Sequence, residues 1–187
     1  MTTWIVLAAV VLAGLYVISL YNRLVKTRQM MREGWSGIDV QLKRRFDLIP
    51  NLVEAVKGYM THERDTLTAV TEMRARVGSV PEGDVAARAQ AEGMLGQALG
   101  RLLAVSENYP DLKASQNFLE LQQALEKVEH ELQMSRRYYN GAARDLNVMV
   151  ESFPSNLVAN QFGFEQAEYF EIEDATERAV PKVGFGG

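Results

Sequence analysis

Residues 118–149, FLELQQALEKVEHELQMSRRYYNGAARDLNVM, decide the fold class of this chain of 187 residues. Apolar or small side chains recur at spacings of three and four along the stretch: Phe118, Leu121, Leu125, Val128, Leu132, Ser135, Tyr139, Ala142, Leu146 and Met149. A heptad pattern of this length indicates a long helix that packs one stripe against other helices, as in a coiled coil. With its flanks, it predicts a helix over residues 111–151.

A second stripe of the same period covers residues 35–77. Its apolar members are Trp35, Ile38, Leu42, Phe46, Ile49, Val53, Val56, Met60, Leu67, Val70 and Val77. Glu63 and Arg74 occupy stripe positions as charged residues, so each needs a partner or solvent. No convincing strand alternation occurs before the tail, and the sequence therefore predicts an all-α protein.

Pro50 interrupts the second stripe where every other feature predicts helix. A proline in a helix cannot donate to the carbonyl four residues earlier, here that of Phe46, and costs about 3 kcal/mol. In one solution the helix kinks and continues past Pro50. In the other, Asp47 caps a new helix whose first turn contains Pro50. We favour the second solution, which predicts helices over residues 23–48 and 50–78.

A further helix is predicted over residues 84–108, between the turn sequences GSVPEGD and ENYPD. Three glycines lie on it, Gly93, Gly96 and Gly100, and each costs about 1 kcal/mol relative to alanine. Close approach of another helix would compensate, either inside the bundle or between the subunits of a homo-oligomer. Residues 23–154 are thus predicted to form an elongated helical bundle.

The first 22 residues contain no Asp, Glu, Lys, Arg or His, and Trp4 to Tyr21 is a nearly continuous apolar run. As a helix this run is about 27 Å long, close to the hydrocarbon thickness of about 30 Å. Trp4 and Tyr21 lie at its two ends, where aromatic rings prefer the headgroup layer. A cleaved signal peptide is the alternative, but a basic n-region and a small-residue cleavage site are missing. Residues 1–22 are therefore predicted to be a single-pass transmembrane anchor.

Basic residues follow this run before the first carboxylate, Glu33. They are Arg23, Lys26, Arg28 and Arg32. By the positive-inside rule, they predict an external amino terminus and a cytoplasmic carboxyl-terminal domain. The four cations could also attract anionic lipid, at about 1 kcal/mol each, although a topology signal alone explains them equally well.

Residues 155–187 differ in kind from the helical sequence. Six carboxylates lie between Glu165 and Glu177, interleaved with or flanked by the aromatic residues Phe162, Phe164, Tyr169, Phe170 and Phe185. Aromatic residues at this density indicate docking on a surface. We expect an irregular tail that packs on the bundle.

No set of residues points to catalysis, a metal or another cofactor. The chain has no cysteine, and neither His62 nor His130 has the glutamate three residues earlier that a carboxylate-bridged metal site requires. A phosphate-binding glycine loop is missing, and the net charge of −4 argues against nucleic-acid binding. The sequence therefore predicts a protein that is not an enzyme.

Four phrases carry a resemblance to a known family: YNRLVKTR (21–28), GWSGIDVQLKRRFDLIPNLVEAVKGYMTHE (34–63), RRYYNGAARDLNVMVESFPSNLVA (136–159) and FGFEQAEYFE (162–171). They resemble the LemA family of bacterial membrane proteins. The resemblance implies one membrane helix, an up-and-down bundle of about four helices, the bacterial inner membrane and no established reaction. One branch of that family is tied to magnetosome membranes and other members occur beside membrane proteases, so a membrane protease system is one possible partner.

The positions characteristic of the family fall in three groups here: Arg45, Asp47, Pro50, Asn51 and Glu63; Tyr138, Tyr139 and Asn140; and Phe153, Pro154 and Asn156. The sequence departs from the family pattern at Asn160 and Gln161, which replace a commonly small and apolar pair, and at Leu146, where an aromatic residue is common. These departures are consistent with altered packing of the tail.

The leading functional hypothesis is a membrane-anchored scaffold that binds protein partners at the cytoplasmic face. The alternative is a membrane-organising effector that binds anionic lipid through the basic juxtamembrane helix and self-associates. An unrecognised enzyme or metal protein is a remote third possibility, which elemental analysis would reveal.

Overall fold

The computed structural model describes residues 1–60, 62–81 and 83–171, and it confirms the all-α prediction. Six helices follow one another: α1 (Thr2–Lys57), α2 (Arg64–Gly78), α3 (Val85–Ser106), α4 (Pro110–Lys113), α5 (Gln116–Glu151) and α6 (Ser155–Gln161). No strand occurs in these described ranges. The predictions that concern Phe185 and the end of the tail fall outside them.

The chain divides into two compact units. The first contains residues 1–45 and 125–169, and the second contains residues 46–124 with Phe170. In the first unit the predicted stripe of α5 is buried almost throughout, from Leu125 to Met149, with Ser135 half-buried. In the second unit the buried side chains include Val56, Val70, Leu95, Leu102 and Phe118. The heptad spacing had thus identified the packed faces.

In the first unit α1 and α5 run antiparallel in close contact. A Cβ atom added to Gly34 would lie 2.9 Å from Cα of Tyr139, and one added to Gly37 would lie 3.3 Å from Oγ of Ser135. The two backbones can approach this closely only because residue 34 has no side chain. Tyr139 then packs its ring 5.6 Å from that of Trp35, centroid to centroid.

The helix boundary expected at Pro50 is wrong. Helix α1 continues through Pro50 to Lys57, and the break lies between Gly58 and Glu63. The carbonyl of Phe46, which the proline leaves without its helical donor, accepts a hydrogen bond of 3.1 Å from Nε of Arg74 on α2. The same guanidinium lies 3.8 Å from the centroid of the Phe46 ring. Arg74 therefore replaces the missing donor, and the helix does not need to end.

Other boundaries differ by a few residues. Asp84 caps α3 as its side chain accepts a 2.8 Å bond from the amide of Ala87. The helix expected over residues 111–151 is divided at Ala114 and Ser115 into α4 and α5. Helix α6 lies in the segment expected to be irregular, and it follows a cis bond between Phe153 and Pro154.

Beyond α6, residues 164–170 lie against the helices. Phe164 and Phe170 are buried, and Asn147 of α5 holds Ala167 with two hydrogen bonds, donating to its carbonyl at 2.9 Å and accepting from its amide at 2.7 Å. The hydroxyl of Tyr139 donates to the carbonyl of Glu168 at 2.8 Å. This described part of the tail is therefore anchored through its backbone.

Candidate functional site

The amino-terminal part of α1 is the one helix of the described chain that is long and apolar enough to cross a membrane, with a mean hydropathy of 2.3 in its most apolar window. Every residue from Met1 to Ser19 is exposed, and the exposed apolar side chains include the consecutive Ile5, Val6 and Leu7. A helix that is apolar on all sides and uncovered by protein is typical of a membrane-spanning segment. Covering by protein begins at Leu20 and Tyr21.

Tyr21 lies where the exposed apolar run meets the packed part of the chain. Its ring lies 4.8 Å from that of Phe162 and 6.0 Å from that of Phe164, measured between centroids. Trp4, at the other end of the apolar run, is 76% exposed. The two aromatic residues predicted to bracket the anchor therefore have different surroundings: Trp4 has an open surface, and Tyr21 packs against the segment that follows α6.

The four cations that follow the apolar run also differ in their surroundings. The guanidinium of Arg28 lies 4.6 Å from the ring centroid of Phe164, and this side chain is half-buried. Arg23, Lys26 and Arg32 are exposed. Arg23 and Lys26 lie within about 8 Å of Tyr21 along the helix axis.

A cluster of buried apolar residues holds α6 beside this end of α1. Its members are Leu24, Leu146, Met149, Val158, Ala159 and Phe164. Phe153 is 79% exposed and Pro154 is half-buried. Asn156 is half-buried, and its backbone N–H donates to the carbonyl of Ser152 at 2.8 Å. Asn160 and Gln161 are exposed.

Most polar residues of the family pattern are engaged inside the fold. Arg45 is 2% exposed and donates from Nη1 to Glu129 of α5 at 2.7 Å. Glu63 accepts a bond of 3.3 Å from the hydroxyl of Tyr109. Desolvation raises the pKa of Tyr109, and the nearby Glu63 carboxylate raises it further. The first contact joins α1 to α5, and the second joins the residues that directly precede α2 and α4.

Asp47, Pro50 and Asn51 are exposed on α1. Because Pro50 has no backbone N–H, the carbonyl of Phe46 accepts its hydrogen bond from Arg74 instead. The sequence had identified Arg74 and Glu63 as charged residues in need of partners. Arg74 has the carbonyl of Phe46 on α1 as its partner, and Glu63 has the hydroxyl of Tyr109, between α3 and α4.

The two adjacent tyrosines have different surroundings. Tyr139 is buried, and desolvation, with a smaller effect of Glu168, raises its pKa. Tyr138 is 44% exposed and its hydroxyl lies 3.4 Å from a carboxylate oxygen of Glu33 on α1. Desolvation and that carboxylate raise the pKa of Tyr138 as well. Asn140 is half-buried.

Tyr138 belongs to an exposed strip that follows the junction of α1 and α5. Met134 lies one helical turn from Tyr138 and is 50% exposed, and Val40 lies two turns from Glu33 on α1 and is 46% exposed. We call Val40, Met134 and Tyr138 the α1–α5 strip. Val40 and Met134 were missed from the sequence, although their signal is visible there: both are large apolar residues outside the buried stripes.

The three glycines of α3 that were predicted to form a contact face differ in exposure. Gly93 is buried and Gly96 half-buried, but Gly100 is exposed and an added Cβ there would meet nothing within 4 Å. In the same unit, α2 and α3 line an open cleft of about 350 Å³ whose walls include Met73, Met94, Asp65 and Arg101. No histidine lines it. Within the described ranges no group of three His, Asp or Glu side chains could hold a metal ion, and His62 and His130 are exposed.

Comparisons with known proteins match the chain over most of its length. The model of the LemA family matches residues 34–185. Magnetosome protein MamQ 2 of Paramagnetospirillum magneticum is 27% identical over 184 residues, with 86% of this chain and 68% of the relative covered. Protein LemA of Metamycoplasma hominis is 25% identical over 153 residues, with 82% of this chain and 69% of the relative covered. Magnetosome protein MamQ of Magnetospirillum gryphiswaldense is 24% identical over 184 residues, with 86% of this chain and 68% of the relative covered. None of these names specifies a reaction.

Proposed function

Because the chain belongs to the LemA family, we propose that it is a membrane-anchored, non-catalytic helical scaffold that binds protein partners through the α1–α5 strip. The observation that carries this proposal is the exposure of Tyr138, in contrast to three other polar residues of the family pattern. Arg45, Glu63 and Tyr139 are engaged by neighbouring helical or tail segments, whereas Tyr138 is exposed beside Met134. Tyrosine and methionine are enriched in protein interfaces.

The residue chemistry supports a binding role over catalysis. General acid–base and nucleophilic catalysis need a positioned His, Cys, Lys or carboxylate group beside a cavity. The cleft between α2 and α3 is open, and among the described residues its charged wall residues are Asp65 and Arg101, so that Asp65 has no second acid or base beside it in the cleft. A protein of the LemA and MamQ type therefore has better support in this chain than an enzyme or a metal protein.

We assign the anchor to the inner membrane of a bacterial cell, with the amino terminus outside and the two units in the cytoplasm. The charge asymmetry supports this orientation, since Arg23, Lys26 and Arg32 are exposed directly after the apolar run. The partner would then be a cytoplasmic protein or the cytoplasmic part of a membrane protein, such as a membrane protease.

Site-specific photocrosslinking tests the proposal. A benzophenone side chain is placed at Met134 of the full-length protein in its own membrane, and a matched control carries it at Gln133. Gln133 is also exposed, but it lies about 100° further round α5, on the side away from α1. We expect one reproducible protein adduct from residue 134 that is lost with Tyr138→Arg and is weak or missing from residue 133.

A second candidate function is the membrane-organising effector, favoured by the exposure of Arg23 and Lys26 at the level of the headgroups. Binding of anionic lipid there adds about 1 kcal/mol per cation and does not involve the α1–α5 strip. This candidate predicts no protein adduct from residue 134 above the control. That outcome would refute the scaffold proposal and favour the lipid effector.

A further inference from the structure

We propose that the segment from Ser152 to Phe164 is a second membrane contact, which inserts Phe153, Leu157 and Phe162 into the lipid interface beside the anchor. This inference rests on the proposed anchoring of α1 and adds a separate surface to it. The partner is the lipid of the same bilayer. The three side chains are 79%, 61% and 53% exposed, although other apolar residues of the segment, Val158 and Phe164, are buried.

The register of the first unit places this segment at the membrane. The hydroxyl of Thr27 lies 3.8 Å from the sulfur of Met149, and Gly34 lies against Tyr139, so α5 approaches the anchor as its residue numbers rise. Extending this antiparallel register at equal rise puts Phe153 opposite about residues 20–23 of α1. The ring contact of Phe162 with Tyr21 independently fixes the other end of the segment at that level.

The level of Tyr21 is the boundary of the hydrocarbon. The run from Trp4 to Tyr21 is about 27 Å long, compared with a core of about 30 Å, so its ends lie where the headgroup layer begins. Side chains at this depth contact glycerol and upper acyl groups. An interfacial helix typically buries its apolar face about 5–10 Å into that region.

The chemistry of the segment suits lipid. From Ser152 to Phe164, SFPSNLVANQFGF, there is no ionisable side chain, although 24% of the whole chain is charged. No charge therefore has to be desolvated when the segment enters the interface. Its polar residues Asn160 and Gln161 are exposed amides, which can bond to headgroups and water. The exposed cations Arg23 and Lys26 lie at the same level on α1.

The alternative is that another protein surface covers Phe153, Leu157 and Phe162. The exposed residues adjoin the apolar run of α1, which is itself uncovered, so the two surfaces are continuous through the contact of Tyr21 with Phe162. Because the bilayer must already reach Tyr21 to cover the anchor, lipid reaches the patch without any additional partner. Continuity with the anchor thus favours lipid over a second copy or another protein.

Spin labelling tests the assignment, and the chain has no cysteine to remove. The full-length protein is reconstituted in vesicles of phosphatidylcholine and phosphatidylglycerol with one nitroxide label, at Phe153→Cys or Leu157→Cys. Val10→Cys, 66% exposed within the apolar run, is the lipid control, and Asp39→Cys, exposed about 27 Å further along α1 from Tyr21, is the water control. Collision of the label with oxygen and with a neutral nickel chelate is measured.

We expect the ratio of oxygen to nickel collisions at residues 153 and 157 to be severalfold higher than at Asp39 and to approach that at Val10. A ratio equal to that at Asp39, with a high ratio at Val10, would overturn the second contact and leave the anchor intact. A low ratio at Val10 would overturn the anchor and, with it, the present inference. Loss of both collision rates at residue 157 would show that protein covers the patch, which also overturns the lipid assignment. Because both substituted side chains are mostly exposed, the variants should keep the helix content of the parent.

Discussion

Replacing Arg74 with methionine tests the role of that residue as the substitute hydrogen-bond donor at Pro50. The guanidinium donates to the carbonyl of Phe46 at 3.1 Å and lies 3.8 Å from the centroid of its ring. A hydrogen bond from a charged group contributes about 1.5–3 kcal/mol, and a partly exposed cation–π contact about 0.5–1 kcal/mol. Since Arg74 is half-buried, we take the lower values and expect Arg74→Met to lower the free energy of unfolding by about 2 kcal/mol.

The same substitution should cost less when residue 50 is alanine. Pro50→Ala restores a backbone N–H to the position that donates to the carbonyl of Phe46 in an ordinary helix. That carbonyl then has a partner whether or not Arg74 is present, and Arg74→Met removes mainly the ring contact. We expect its cost to fall to about 0.5 kcal/mol, which is a coupling of about 1.5 kcal/mol between residues 50 and 74.

Urea unfolding of the detergent-solubilised full chain, followed by circular dichroism, measures the four members of this cycle. Equal slopes against urea concentration are needed for the free energies to be compared. Arg76→Met is the matched control, because Arg76 is an exposed arginine on the same helix and should change stability by less than about 0.5 kcal/mol. An equal cost of Arg74→Met with proline and with alanine at residue 50 would refute the idea that Arg74 replaces the missing donor.

Two other predictions concern close packing and pH. Gly34→Ala should lower the free energy of unfolding by about 1–3 kcal/mol, because the added Cβ would lie 2.9 Å from Cα of Tyr139. Gly100→Ala should raise it by about 0.5–1 kcal/mol, because nothing lies within 4 Å of the added Cβ. Equal effects of the two substitutions on thermal unfolding would contradict this reasoning. The pKa of Tyr139 in the folded state is raised above 10.0. The stability that the protonated phenol contributes is therefore complete below pH 10, and it is lost as the pH rises through the pKa of the folded state. Stability of the parent should therefore fall more steeply above pH 10 than that of Tyr139→Phe, and parallel urea midpoints for the two proteins across this range would refute the assignment.

The sequence was sufficient for those parts of the fold that depend on periodicity. The stripe of α5 is buried from Phe118 to Met149 with only short interruptions, and the apolar run of α1 is uncovered up to Leu20. Both follow from side-chain spacing along one helix, which is a local property. The charged positions at Glu63 and Arg74 also signalled contacts, because a polar group on a packed face needs a partner.

The remaining features depend on contacts between residues far apart in the sequence. The break after Lys57 was placed at Pro50 because the donor for the carbonyl of Phe46, 28 residues away in Arg74, could not be inferred from local pattern. The α1–α5 strip was missed for a related reason: the exposure of Val40 and Met134 depends on how α1 and α5 face each other. Phe153 was identified through the resemblance, but its exposure was not.

The length of α1 beyond Tyr21 sets how far a partner must reach. Val40 lies 19 residues after Tyr21, which is about 28 Å of helical rise, and Met134 lies near the same height on α5 because of the antiparallel register. A typical membrane-helix tilt of about 20° lowers this height by only about 2 Å. In the orientation proposed above, a membrane protein whose cytoplasmic side consists of short loops would end too close to the bilayer to touch the α1–α5 strip. Under the proposed scaffold function, membrane-embedded partners therefore need a cytoplasmic domain that extends at least about 25 Å from the lipid surface.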